Sequence, residues 1–142
     1  MTKRKIFIIL ALFAGLFIFA ACGDDSNISR WRGHRGLQEM TLDGGFSLTV
    51  SSAREGLRVI TVDMTEEELA NIRVSQVVHT GFVEIFMTDG NRGVLNQISP
   101  EIGHIPNYFT GVFDARQLEA GEIRIEMRFR DVQNATVAIT WR

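Results

Sequence analysis

From Phe46 onward the chain repeats with a period of two. The clearest stretch is Glu122–Arg130, where Ile123, Ile125, Met127 and Phe129 alternate with Glu122, Arg124, Glu126, Arg128 and Arg130. Successive side chains of a β-strand point to opposite faces, so this pattern buries one face and solvates the other. It excludes an amphipathic helix, whose apolar stripe recurs every three to four residues.

The same rule reads Phe46–Ser51, Arg58–Met64, Ile72–His79, Phe82–Thr88, Tyr108–Phe113 and Ala135–Trp141 as strands, with Val94–Ile98 a short further one. Gly44–Gly45, Thr80–Gly81, Asp89–Gly93 and Asp131–Asn134 are turn-forming intervals, which makes Ile72–Thr88 a hairpin. Thr65 followed three residues later by Glu68 is a capping box, and Glu66 and Glu67 suit the positive end of a helix dipole, so a helical turn or two runs to Asn71. Such acids are ordinary capping chemistry, and no metal site is expected among them. Ser99–Asn107 holds both prolines and reads as an irregular loop carrying Glu101 and His104. Seven or eight short strands without parallel crossover signals predict an all-β fold, an antiparallel β-sandwich with one short helical turn. A partly open barrel would use the same strand count.

Ahead of the strands, Lys3, Arg4 and Lys5 precede Ile6–Ala21, an apolar run of 16 residues. As a helix it would be about 24 Å long, short of a hydrocarbon core of about 30 Å. Phe19, Ala20, Ala21 and Cys22 close the run, and together with the basic start they resemble the lipobox of a bacterial lipoprotein signal peptide. The resemblance implies cleavage before Cys22, a diacylglyceryl thioether on Cys22, and attachment to the extracytoplasmic face of a cell membrane. Two or three acyl chains suffice for stable anchoring, at about 0.8 kcal/mol per buried CH₂. The expected organisation is a signal helix over 1–21, a lipidated N terminus and tether over 22–44, and a sandwich domain over 45–142.

With the leader removed, 142 − 21 = 121 residues remain, enough for one domain. Cys22 is the single cysteine, so the exported part has no thiol for a disulfide, a zinc cluster or a nucleophile. Its cations number 15 − 3 = 12, all arginines, against 17 acids. That acidic balance argues against nucleic-acid binding. His34, His79 and His104 fall in no metal-binding motif, and neither a GxSxG elbow nor a lysine-bearing phosphate loop is present. No catalytic residue, metal or cofactor is expected, and the chain reads as a non-enzyme.

Arg30, Trp31, Arg32 and Arg35 form the one dense cationic and aromatic cluster. It suits contact with anionic headgroups or wall polymers, or else Trp31 packs as a first edge strand with its arginines solvated. The Glu and Arg of the exposed phase of Glu122–Arg130 read as cross-strand charge pairs. Asp114 and Leu118, followed by Gly121 and a long alternating strand, are similar to the penultimate turn of secreted immunoglobulin-like and carbohydrate-binding sandwiches. That resemblance implies Leu118 in the core. The expected function is a non-catalytic binding or interaction module whose partner is an envelope polymer, a carbohydrate or another exported protein. A structural subunit of an envelope complex and a small hydrolase are the alternatives. A sugar ligand would require Trp31, Tyr108 or Trp141 to face solvent together, whereas the register of the last strand turns Trp141 inward.

Overall fold

The computed structural model describes residues 27–98 and 107–142. The expected signal peptide, Cys22 with the start of its tether, and the loop carrying Glu101 and His104 lie outside the described residues. Seven strands form one antiparallel sheet: β1 (Ile28–Arg32), β2 (Gln38–Leu42), β3 (Gly45–Met64), β4 (Arg73–Thr88), β5 (Gly93–Ile98), β6 (Asn107–Val112) and β7 (Gly121–Thr140). The helical turn predicted from its capping box is α1 (Glu66–Ala70), with Thr65 accepting from the Glu68 amide and the Glu68 carboxylate accepting from the Thr65 amide.

Three of the strands are far longer than the sequence pattern suggests. β3 and β7 have 20 residues and β4 has 16, against the usual five or six. The intervals expected to reverse the chain at Thr80–Gly81 and Asp131–Asn134 instead bend continuous strands, so the expected Ile72–Thr88 hairpin is the single strand Arg73–Thr88. Gly81, Asp131 and Asn134 adopt left-handed φ of 99°, 48° and 47°, and the β4–β7 register shifts between Thr80 and Phe82. Such a bulge turns the strand without ending its pairing. Gly81 is required at its corner because a Cβ there would lie 2.3 Å from the Asp131 carbonyl oxygen.

Folded at these corners, the sheet becomes two layers. In one, the first halves of β3 and β4 pair with the second half of β7, flanked by β2 and β6. In the other, the second halves of β3 and β4 pair with the first half of β7, flanked by β1 and β5. The inward residues of both layers share one core, from Leu48, Val74 and Val137 in the first to Ile85, Ile123 and Met127 in the second. Leu118 and Trp141 join that core, as the sequence reading expects. The predicted sandwich is therefore the observed architecture. Pairing also begins before residue 45, since β1 and β2 lie within the stretch expected to be tether.

Candidate binding site

The outer face of the β1–β3–β7–β4 layer carries an open groove of about 350 Å³. Directly opposed residues in antiparallel strands share a face, so the pairing writes the groove as two rows. One row runs Arg32, Glu55, Arg130, Phe82, and the next runs Arg30, Leu57, Arg128, Glu84. Both rows line the groove. Between Arg30 and Arg32, the Trp31 side chain takes the opposite phase and packs on the core side. Its ring centroid lies 5.1 Å from that of Phe129, and its Nε1–H donates to Ser29 Oγ at 3.0 Å. Gly56 makes this possible, because a Cβ there would sit 2.2 Å from the Trp31 ring.

The charges of this face are unevenly satisfied. Arg32 and Glu55 form a loose, exposed pair at 3.9 Å. Glu126, on the same face, draws Arg124 to 3.0 Å and Arg128 to 3.4 Å. The side chains of Arg30, Arg54 and Arg130 have no hydrogen-bond or ion-pair partner among the described residues. Arg54 and Asp131 extend the groove's rim beyond Arg32 and Arg130.

Two other charged clusters are structural. Arg142 binds Glu68 at 2.6 Å and Asp43 at 2.9 Å, latching the chain end to the α1 cap. Arg142 beside it holds the Glu68 carboxyl below its ordinary range. Asp89 accepts from the amides of Asn91, Arg92 and Glu119 at 2.8, 2.7 and 2.8 Å, and these bonds lower its pKa to about 2. Among the described residues, no three His, Cys, Asp or Glu side chains converge as a cation site would require.

Of the residues singled out from sequence, Arg30, Trp31 and Arg32 are brought together at the groove. Arg35 is exposed and pairs its backbone with Ser52 of β3, outside the lining. Tyr108 stands on β6 opposite Val77, in the other layer. Trp141 is 7% exposed and belongs to the core, so it forms no aromatic platform with Trp31. Sequence reading missed Phe82, Glu84, Arg128 and Arg130 as groove residues. The only signal for the two arginines was the exposed phase of β7, which says nothing of the strand they sit beside.

No family profile matches the chain, and no curated protein sequence does. Among solved structures it is similar to a protein from work on the promiscuous specificity of carbohydrate-binding modules of the β-sandwich superfamily, with TM-score 0.43 and 7% identity over 83% of this chain and 56% of that one. It is also similar to the enzymatically active domain of bacteriophage CBA120 tailspike protein 4, with TM-score 0.41 and 12% identity over 81% and 18%. A third is a carbohydrate-binding module from Clostridium stercorarium in complex with cellobiose, with TM-score 0.38 and 16% identity over 82% and 89%. The chain thus spans about half the length of the first and under a fifth of the second.

Proposed function

We propose that this chain is a non-catalytic binding module, held at the extracytoplasmic face of a membrane through Cys22, that takes a ligand in the groove between β1 and β4. The observation that carries the reading is the pair of partnerless guanidiniums, Arg30 and Arg130, on a single open sheet face. Arginine stays protonated at any working pH, so it serves recognition and not proton transfer. Both groove carboxylates are engaged, Glu55 by Arg32 at 3.9 Å.

A second reading, an assembly subunit of an envelope complex, draws on the other layer. There the edge strand β2 leaves Met40 59% and Leu42 46% exposed, and solvent-facing apolar side chains at a sheet edge suit protein contact.

Retention of the chain from its native host on peptidoglycan, wall polymer and membrane extract tests the first reading, with radioactive palmitate reporting the anchor. Wild type should carry label and be retained on a polymer fraction, and Cys22→Ser should carry none. Retention on no fraction removes the binding role, and a labelled Cys22→Ser protein removes the anchor.

A further inference from the structure

The groove has a shape its lining residues alone do not convey. Arg30 and Arg32 stand on β1 and Arg128 and Arg130 on β7, with β3 between them. Neighbouring strands lie about 4.8 Å apart, so the two arginine rows are walls of a trough about 10 Å wide whose floor is Leu57 and Glu55. Along each wall the guanidiniums repeat every second residue, or about 7 Å. Four arginines against Glu55 and Glu84 make the trough positive, although the chain as a whole carries a net charge of −2.

Resting on the binding-module reading above, we propose that the trough binds a linear acidic polysaccharide lying along β3, its carboxylates held on either side by Arg30 and Arg130. A polymer whose successive carboxylates project to opposite sides meets both walls at once. The guanidinium fork matches a carboxylate through two parallel hydrogen bonds. Leu57 in the floor and Phe82 at the margin, both half-buried, give the C–H face of a sugar ring an apolar surface to rest on. An anionic bilayer is the competing partner for an arginine patch. It presents a plane and not a strand, so it would touch the rims of a trough and leave Leu57 without contact.

Polygalacturonate and its fully methyl-esterified form are the probes, since they share a backbone and differ in charge, and binding to the whole chain is read by calorimetry. The acidic form should bind and the ester should not. Arg30→Gln with Arg130→Gln should weaken binding by about tenfold per arginine, while Arg73→Gln, on the other layer, should leave it unchanged. Glu55→Gln, which removes the acid from the floor, should tighten binding several-fold, a gain that no folding defect can mimic. Equal affinity for the ester, unaltered by the arginine changes, overturns the acidic-ligand inference and leaves the binding module standing. Capture by phosphatidylglycerol vesicles without any binding of polygalacturonate overturns it in favour of a lipid surface. Absence of binding here, together with retention on no envelope fraction, removes both readings.

Discussion

Gln76 and Arg58 are the two buried polar side chains among the described residues, and only Arg58 finds partners. Arg58 enters the core side of β3 and is met by Glu39 at 2.6 Å, by the carbonyls of Val59 and Ile28 at 2.8 and 3.2 Å, by Asn27, and by the face of Phe46 at 5.4 Å. It therefore ties β1 and β2 to β3. Gln76 is fully buried opposite Val137, and neither its Oε1 nor its Nε2 has a hydrogen-bond partner. A buried amide left unpaired costs about 1–3 kcal/mol. Gln76→Leu should therefore stabilise the fold by about that amount, seen as a higher urea midpoint at unchanged slope. A lower midpoint would mean that ordered water serves the amide. The inward phase of both residues was legible, since Gln76 falls between Val74 and Val78 and Arg58 two before Ile60. What satisfies Arg58 was not, because Glu39 belongs to a strand the alternation did not announce.

The corners mark where element-scale reading reaches its limit. Gly, Asp and Asn at positions 81, 131 and 134 supply left-handed φ equally well to a reversal and to a bend. Which one forms depends on whether the flanking halves pair with each other or go on pairing with the same neighbours. Here β7 keeps β3 on one side from Gly121 to Thr140 and β4 on the other from Arg124 to Thr140, a choice made by distant partners. By contrast, the capping box of α1 and the Asp89–Gly93 turn are decided within a few residues and were legible. Asp89 also binds the Glu119 amide across 30 positions, clamping the β4–β5 turn to the loop before β7. Its carboxyl is lowered from 3.8 to about 2 by those amides. A depressed folded value gives stability that is full above the unfolded pKa, near 4, and is lost as pH falls through the folded one. The clamp should thus weaken between about pH 4 and pH 2. Glu68 and Asp114 are lowered too, so the informative quantity is the difference between wild type and Asp89→Asn. Their urea midpoints should converge across that window, and a parallel acid decline in both would refute the clamp.

At the scale of the molecule, β3, β4 and β7 each belong to both layers, so neither layer can open while the other stays closed. Far-UV circular dichroism and tryptophan fluorescence should then report one coincident unfolding transition. Two separated transitions would mean that the corners act as hinges between independent halves. The sandwich class was legible because alternation, turn residues and the absence of crossovers all bear on it. The groove was not, since Arg30 and Arg128 are 98 positions apart and only the β1–β3–β7 register brings them to one face. Its β1 half was visible as a cluster, and its β7 half was visible only as a solvated stripe.

The strand at the middle of the sheet is also the last of the seven described strands in chain order. In the order β1, β3, β7, β4, β5 the strand that fills the gap between β3 and β4 follows both of them in the sequence, so β3 and β4 are synthesised before Gly121 emerges to close them. Until then β3 and β4 present bare hydrogen-bonding margins and apolar flanks, the surfaces on which nascent chains stick to one another. Synthesis of this protein accordingly places a demand on the chaperones that meet it, and the demand ends with the arrival of its keystone.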